Sequence, residues 1–400
     1  MIESCPVCGS AARRSVVSLP TVPVSINAQV TPQEAPDVVR GDIDLVVCEH
    51  CAHMYNRSFD DGLLDYDASY ENTLHYSRRF QEFATGLAQR LVTEHHLAGA
   101  SVGELGSGPG HFLSMLCDAG AGSGLGWDPS YDAGRLGAPS HPDVRISTDR
   151  FPDDGSRPVR LALSQHVLEH LHDPVAALIA QRRAVADDGG VVYTEVPNGR
   201  LMQEHGAVWD LIYEHLSYFV PTSLELACRC AGLRATSLGS AFDDQFLWCE
   251  AVSDGAGDAA SADRASVLPS DPAAVDGAVD AAVRFGEEAA RRIAEARRSL
   301  SELADDGPVV LWGAGSKGMT YLNVVQDGTG EAAPVAGVID VNPRKIGAGV
   351  PGTAYTITAP ASLTELKPRT VLAANPAYLG EIGEDLDALG LDAEVLPLWE

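Results

Sequence analysis

The chemistry of this chain is most readily derived from the stretch 104–110. An acidic residue closes a short apolar run, three glycines follow at alternate positions, a helical pattern comes next, and a second apolar stretch ends in another acid. These residues are Glu104, Gly106, Gly108, Gly110 and Asp128. Glycines let backbone N–H groups approach a ligand closely, and the second acid can accept hydrogen bonds from both ribose hydroxyls. The pattern predicts a site for an adenosine-bearing cofactor; the alternative is a glycine turn that only joins strand to helix.

The glycine spacing is tighter than the G-x-G-x-x-G fingerprint of dinucleotide-binding folds. With an acid two residues before the first glycine, it resembles the first motif of class I S-adenosylmethionine-dependent methyltransferases. The resemblance implies S-adenosylmethionine as the cofactor, with Glu104 on the methionine side and Asp128 at the ribose. Gln165 and His166 follow the predicted fourth strand and are expected beside the same cleft, at the carboxyl ends of the strands.

Histidines and carboxylates gather in two segments of the same region. His170 closes the sequence Q-H-V-L-E-H, and His215 follows Tyr213 and Glu214 in W-D-L-I-Y-E-H. An imidazole can transfer protons near neutral pH, and a shielded pocket can shift its pKa. We predict that His215 is a proton-transferring residue assisted by a carboxylate; the alternative for each histidine is an ordinary core or surface position.

Four of the eight cysteines form two C-x-x-C pairs, Cys5 with Cys8 and Cys48 with Cys51. Each pair supplies two thiolates from one tight turn, and two such turns complete a tetrahedron around Zn²⁺. A closed shell of four thiolates leaves no open position, so the predicted zinc is structural. A redox pair is the alternative, although one C-x-x-C would serve for that, and the other cysteines are expected in the core.

Bulk properties exclude several classes of partner. The net charge of −28 over 400 residues argues against nucleic acid and anionic membranes. The sequence has no long apolar run that would span a bilayer, and its beginning lacks a basic and apolar leader. Cysteines without a secretory signal indicate a reducing compartment, so we expect a cytoplasmic protein. We expect a small-molecule substrate and a monomer or small homo-oligomer.

The order of strand and helix patterns predicts an α/β fold in several parts. Residues 1–60 form a zinc-binding module, and residues 61–255 form a class I, Rossmann-like methyltransferase domain. Residues 256–305 comprise a linker and a long helix over 276–304. Residues 306–400 form a C-terminal Rossmann-like module that binds substrate.

The C-terminal module opens with a second glycine turn, from Gly313 to Gly318, which has the spacing G-x-G-x-x-G after an apolar strand. Asp340 ends the next strand. The remaining residues are too few for a whole oxidoreductase domain, so Lys317, together with Arg344 and Lys345 behind Asp340, is predicted to hold a diphosphate. Asp340 is also expected at the substrate. The alternative is a module whose glycines serve packing alone.

Taken in order, these motifs resemble one family over nearly the whole chain, the zinc-containing C-methyltransferases of deoxysugar biosynthesis. The family acts on nucleotide-linked 4-keto sugars. The resemblance implies that a histidine removes the proton beside the ketone and that S-adenosylmethionine methylates the resulting enolate. By position, His215 matches the family's base, Glu214 its neighbour, and His170 the histidine after the fourth strand.

Tyrosine and histidine groups would polarise the carbonyl. The family spaces its tyrosine as Tyr-x-Glu-His, whereas Tyr213 here directly precedes the glutamate. The upstream tyrosine is Tyr66, Tyr70 or Tyr76; we expect Tyr70 in catalysis and Tyr76 at the substrate. Other functions compatible with the sequence are an oxygen- or nitrogen-directed methyltransferase, a non-catalytic nucleotide-sensing protein and an NAD-dependent dehydrogenase.

Overall fold

The computed structural model describes residues 1–64, 71, 73–155, 158–185, 189–255, 264–326 and 333–398. In these ranges the chain forms three β-sheets of four, seven and five strands. The α/β fold expected from the sequence is confirmed, with a mixed central sheet in the Rossmann-like part.

The N-terminal sheet is antiparallel and has the strand order β1-β2-β3-β9. Its strands are β1 (Arg13–Pro23), β2 (Arg40–Cys48), β3 (Met54–Asn56) and β9 (Ser217–Tyr218). The last of them lies two residues beyond His215 and pairs with β3. The sheet is therefore completed by the segment that carries the predicted base, and residues 1–60 do not close on themselves.

The central sheet has the order β10-β11-β8-β7-β4-β5-β6. Its strands are β4 (Ser101–Leu105), β5 (Ser123–Trp127), β6 (Val144–Ser147), β7 (Leu161–Gln165), β8 (Val191–Pro197), β10 (Leu233–Ala241) and β11 (Phe246–Ser253). The strands from β6 to β8 are parallel, and β11 and β10 continue the sheet antiparallel. The chain order reverses between β4 and β7, where an open α/β sheet leaves a ligand crevice at the carboxyl ends of its strands.

The helices around this sheet are α1 (Arg78–Glu94), α2 (His111–Asp118), α3 (Ala133–Leu136), α4 (Pro174–Ala184), α5 (Gly199–His205) and α6 (Pro221–Cys230). Helix α1 begins where the Ser77 side chain accepts a hydrogen bond from the Phe80 amide, and Phe80, Ala84 and Leu91 lie on its buried face. Helix α2 packs its apolar residues into the same core, which places the turn before it at the carboxyl end of β4.

Helix α7 (Pro272–Asp306) connects the central and C-terminal sheets. It begins earlier than the expected 276–304 because Asp271 caps the Ala274 amide at 3.1 Å and Pro272 takes the first helical position, where its missing N–H costs nothing. The helix lies so close to β1 that a side chain at Gly286 would meet the Val16 carbonyl. It thus packs on the N-terminal sheet and is more than a spacer.

The C-terminal sheet is parallel with the order β14-β13-β12-β15-β16, as a Rossmann-like module should be. Its strands are β12 (Val309–Trp312), β13 (Gly337–Ile339), β14 (Ile357–Thr358), β15 (Thr370–Ala373) and β16 (Glu394–Pro397). Its helices are α8 (Ser316–Val325), α9 (Leu363–Leu366) and α10 (Leu379–Leu389). None of the helices in the described ranges combines the length and apolarity needed to cross a membrane.

Candidate active site

The turn between β4 and α2 holds its three glycines in the left-handed backbone region, with φ of +70°, +50° and +75° for Gly106, Gly108 and Gly110. Added side chains would also meet neighbours at two of them: 2.4 Å from Val167 at Gly106 and 2.9 Å from Ile146 at Gly110. At Gly108 nothing lies within 4 Å. Packing thus requires the outer glycines, and the central one presents bare backbone to open space, where a ligand can approach.

Two acids flank this turn. Glu104 is 4% exposed, and its Oε2 has no hydrogen-bond partner among the described residues. Burial, together with the charge of Asp128, raises the pKa of Glu104 to about 8. Asp128 accepts hydrogen bonds from the Gly108 amide at 2.8 Å and from the amide and hydroxyl of Ser130 at 2.9 and 2.7 Å. A carboxylate has about four lone-pair positions, so Asp128 can still accept a ribose hydroxyl.

An adenosine-bearing cofactor therefore fits the residues present. The open approach at Gly108, the unsatisfied buried oxygen of Glu104 and the remaining capacity of Asp128 lie along one turn. Unsatisfied buried polar atoms are costly, and a bound ammonium or hydroxyl group would relieve that cost.

Gln165 and His166 lie where β7 ends, but the structure engages them in a buried carboxylate network. Gln165 donates to Glu195 at 3.2 Å, and Tyr193 donates to the other oxygen of Glu195 at 2.8 Å. His166 has a φ of +55°, and its ring nitrogens lie 3.7 Å from Glu169 and 3.4 Å from Glu195. Burial alone would lower the pKa of His166, but these two carboxylates raise it to about 10, so the ring is an imidazolium between two acids.

Glu169, His170 and His215 come together beside this network. Each offers a ligating or proton-accepting atom within 4.8 Å of the others, and the two imidazole rings meet edge to face at 4.8 Å between centroids. Val167, in the same segment, packs against Gly106 of the cofactor turn. The segment that carries Glu169 and His170 therefore adjoins the predicted cofactor turn.

The two histidines have different surroundings. His170 Nδ1 lies 2.9 Å from the Glu214 carbonyl oxygen, a partner that only accepts, so Nδ1 carries a proton and donates it to this bond. Burial, and after it the neighbouring His170, lowers the pKa of His215 to about 3, so His215 is neutral at physiological pH. A neutral imidazole is the form that can accept a proton.

The carboxylate of Glu214 is directed to Asn27 and not to the imidazole ring of His215. It accepts hydrogen bonds from the backbone amide and side-chain amide of Asn27, at 3.2 and 3.3 Å. Burial raises the pKa of Glu214 to about 8 despite those bonds. Its side chain is thus anchored to the N-terminal part of the chain, and the structure does not bring it to His215 as the base's assisting carboxylate.

Tyr213 is likewise engaged elsewhere. Its hydroxyl accepts from the Asp60 amide at 2.9 Å and donates to the Asp60 carbonyl at 3.4 Å, while its ring stacks on Phe59 at 5.6 Å between centroids. Tyr76 is partly exposed in the turn before α1. Tyr70, the predicted catalytic tyrosine, lies outside the described residues.

The second glycine turn faces the central domain. Asn27 donates to the Ser316 hydroxyl at 2.9 Å, which connects the turn to the residue that holds Glu214. Lys317 Nζ lies 2.5 Å from Asp210 Oδ2. Residues from all three predicted modules therefore meet near His215.

Asp340 and Arg344 occupy different surroundings. Asp340 accepts from the Ala314 amide at 2.7 Å and from the Asn342 amide at 2.8 Å, so both carboxylate oxygens bind their own module. Arg344 pairs with Glu71 at 3.3 Å and donates to the Leu136 carbonyl at 3.2 Å. Of these two predicted substrate-binding residues, Arg344 reaches across to the central domain and Asp340 does not.

The four paired cysteines are buried and converge, with all their sulfurs within 4.8 Å of one another. Cys5 Sγ is 3.7 Å from Cys51 Sγ, and Cys8 Sγ is 3.5 Å from Cys48 Sγ. A tetrahedron of thiolates about 2.3 Å from a zinc ion has sulfur–sulfur edges of about 3.8 Å. The spacing and the all-sulfur donor set fit Zn²⁺.

Sequence reasoning missed Glu169 and Asn27 as residues of the site. Glu169 stands inside the V-L-E-H motif, but a glutamate beside a histidine looks like a solvated residue until the fold buries it. Asn27 lies in a segment without chemical signature. The signal for Glu169 was its position just after a strand end, where side chains reach the crevice.

Two family models match the chain. The model of a methyltransferase domain matches residues 76–238, and that of a C-methyltransferase C-terminal domain matches residues 267–390. The first match spans β4 to β9 and part of β10, and the second spans α7 and the strands β12 to β15. The chain is an S-adenosylmethionine-dependent methyltransferase.

Solved structures show more distant similarity. The 1,6-didemethyltoxoflavin-N1-methyltransferase of Burkholderia thailandensis is 17% identical, with a TM-score of 0.33 over 43% of this methyltransferase and 79% of that chain. The magnesium protoporphyrin IX methyltransferase of Synechocystis PCC 6803, with bound SAH, is 17% identical, with a TM-score of 0.34 over 44% and 84%. No curated protein matches the sequence significantly.

Proposed function

We propose that this methyltransferase transfers the methyl group of S-adenosylmethionine to the carbon beside a ketone, through an enolate that His215 generates. The observation that carries the proposal is a neutral, partly buried His215 grouped with His170 and Glu169, whose neighbour in the chain Val167 packs against the cofactor turn. The match of residues 267–390 to a C-methyltransferase C-terminal domain supports carbon as the methylated atom.

A sulfonium methyl group needs little activation, so the enzyme must create and align the nucleophile. A carbon beside a ketone becomes nucleophilic only when its proton leaves and the electron pair moves toward the carbonyl oxygen. His215 would take that proton. His170, whose Nδ1 proton is held by the Glu214 carbonyl, would orient the acceptor oxygen or the base.

For the acceptor we propose a nucleotide-linked keto-deoxysugar or a related natural-product intermediate. An anionic diphosphate needs local positive charge in a protein of net charge −28. Lys317 and Arg344 supply it on the side of the C-terminal module that faces the central domain. Both already pair with carboxylates, Asp210 and Glu71, so a diphosphate would have to replace or join those partners.

We further propose that the four cysteines bind a structural zinc ion. The ion would have no open coordination position, so it would stabilise the N-terminal sheet and take no part in methyl transfer. Through β9 that sheet also fixes the segment that begins two residues after His215.

The test is to supply S-adenosylmethionine labelled with ¹³C in its methyl group together with a thymidine diphosphate-linked 4-keto-6-deoxyhexose. The expected result, read by NMR of the product, is a labelled methyl group bonded to the carbon beside the ketone. A labelled methyl group bonded to oxygen or nitrogen would replace the proposal with heteroatom methylation. Cofactor binding without turnover across a panel of nucleotide-linked keto sugars would favour a sensing protein.

A further inference from the structure

The base that we propose has an electrostatic problem that the surrounding residues must solve. His215 lies in an environment that disfavours its charged form, because burial and the nearby His170, His166 and Lys317 all lower its pKa. Deprotonating a carbon acid nevertheless turns His215 into an imidazolium. A neighbouring anion is needed to stabilise that cation.

Glu214, the carboxylate next in sequence, does not supply this anion. Its oxygens are hydrogen-bonded to Asn27, and its raised pKa of about 8 keeps it largely protonated near neutral pH. Glu195 is directed to Tyr193 and Gln165 on the far side of His166. Neither acid is grouped with the His215 ring.

Glu169 is placed for the task. It is 1% exposed, and neither of its carboxylate oxygens has a hydrogen-bond partner among the described residues. Burial alone would raise the pKa of Glu169, but the neighbouring histidines, His166 first, keep it below its ordinary value, so the carboxylate is ionised. An ionised group so buried is costly unless a positive charge compensates it.

We propose that Glu169 is the positioning residue of the base: its carboxylate, within 4.8 Å of His170 and His215, stabilises the imidazolium that His215 becomes. This inference rests on the proposed function, since it concerns the step that forms the enolate. In the resting enzyme the positive charge beside Glu169 is that of His166, at 3.7 Å. During turnover a second positive charge forms on its other side.

The step balances in atoms and charge. The C–H bond beside the ketone breaks, its proton moves to a ring nitrogen of His215, and the electron pair moves to the carbonyl oxygen. The enolate carbon then forms a bond to the methyl group as the carbon–sulfur bond of the sulfonium breaks, leaving neutral S-adenosylhomocysteine. His215 afterwards returns its proton to solvent, and Glu169 keeps its charge throughout.

The central variant is Glu169→Gln, which removes the charge and preserves the shape. It should lower kcat about 10²-fold, within the usual range for general-base assistance, and change the KM of the keto sugar by less than about threefold. Glu169→Asp, which keeps the charge, should recover at least about tenfold of that loss. Glu250→Gln is the matched control, because Glu250 is also buried but pairs with Arg90 and His95 away from this cluster.

A second measurement needs no acceptor. In protein with ¹⁵N-labelled histidine, the His166 ring should lose its proton about one pH unit lower or more in Glu169→Gln than in the wild type, because one of its two carboxylates has lost its charge. Glu250→Gln should leave that titration unchanged. The His166 signal is assigned by its loss in His166→Asn.

Equal loss of kcat in Glu169→Gln and Glu169→Asp with an unmoved His166 titration would mean a merely structural role and overturn the inference. So would wild-type kcat in Glu169→Gln. If the wild type itself neither exchanges nor methylates keto sugars, the proposed function fails separately. In that case a shifted His166 titration still supports a charged Glu169 in the cluster, and an unshifted one overturns it.

Discussion

Removal of the zinc ion that we propose for the four cysteines tests how the N-terminal sheet supports the candidate active site. The perturbation is Cys48→Ser, which takes one ligand from a cluster whose sulfur–sulfur distances of 3.5 and 3.7 Å match a zinc tetrahedron. The binding free energy of structural Zn²⁺ in small zinc domains is about 10–16 kcal/mol. The free energy of unfolding of a whole domain is of the same size, about 5–15 kcal/mol. The antiparallel sheet should therefore not survive loss of the metal.

The effect should reach the base by a defined path. His53 follows the second cysteine turn and contacts the segment just after His215: its ring packs on Phe219 at 4.7 Å, and its Nε2 lies 3.1 Å from the Ser217 hydroxyl. Loss of this packing would release the strand that follows His215. The cofactor turn belongs to another core, formed by α1, α2 and β4, so S-adenosylhomocysteine binding should persist.

The assay combines metal content, limited proteolysis, S-adenosylhomocysteine titration and turnover of a thymidine diphosphate-linked 4-keto-6-deoxyhexose. Wild type should contain one zinc per chain. Cys48→Ser should lack it, be cleaved within the first 60 residues, and lose turnover at least about 10²-fold, since misplaced reacting groups cost that much. Cys249→Ser, a buried cysteine 3.7 Å from Cys228 and outside the cluster, is the matched control. A metal-free wild type, or Cys48→Ser with normal stability and turnover, would refute the reasoning.

Three further predictions concern the cofactor and acceptor sites. Because the pKa of Glu104 is raised to about 8, the binding of S-adenosylhomocysteine through its ammonium group should release a proton near pH 7, and the affinity should increase as the pH rises toward 8. Calorimetry in buffers of different ionisation enthalpy should detect the released proton, and Glu104→Gln should abolish its release. Gly108→Ala should weaken S-adenosylhomocysteine binding about tenfold or more, because the new side chain would enter the open space for the ligand, and should cost about 1–2 kcal/mol of folding stability, because alanine is strained at this positive φ. Unchanged affinity in a titration would contradict the placement of the cofactor at this turn. Lys317→Met should raise the KM for a diphosphate-linked acceptor about tenfold and leave the affinity for S-adenosylhomocysteine unchanged. Asp210→Asn, which keeps the Lys317 cation, should not raise this KM. A KM in Lys317→Met equal to that of the wild type would remove Lys317 from the acceptor site.

Local patterns in the sequence suffice for the elements of this fold. The strand, glycine turn and helix over residues 101–118 form as expected, because left-handed glycines and an apolar helix face act over a few residues. The ligand chemistry of zinc is enough to predict that the two C-x-x-C turns converge, as they do in the structure. The start of α7 at Pro272 was missed because a capping aspartate within an Asp- and Pro-rich stretch resembles a linker.

Contacts between distant segments could not be predicted in the same way. The sequence suggests that Glu214 assists His215 because the two residues are adjacent, yet side chains of neighbouring loop residues can point apart. In the fold the Glu214 carboxylate binds Asn27, and Glu169 lies with the histidines. The pairing of β9 with β3 similarly depends on tertiary packing. Strand β9 consists of only two residues, Ser217 and Tyr218, so it is too short for a periodic sequence pattern to reveal it.

The most direct test of the account is solvent exchange at the acceptor carbon. Wild-type enzyme with S-adenosylhomocysteine and a thymidine diphosphate-linked 4-keto-6-deoxyhexose in D₂O should introduce deuterium at the carbon beside the ketone, and His215→Asn should not, while still binding S-adenosylhomocysteine. Exchange that proceeds equally in His215→Asn, or an absence of exchange in a wild type that methylates oxygen, would contradict the central claim that His215 makes a carbon nucleophile.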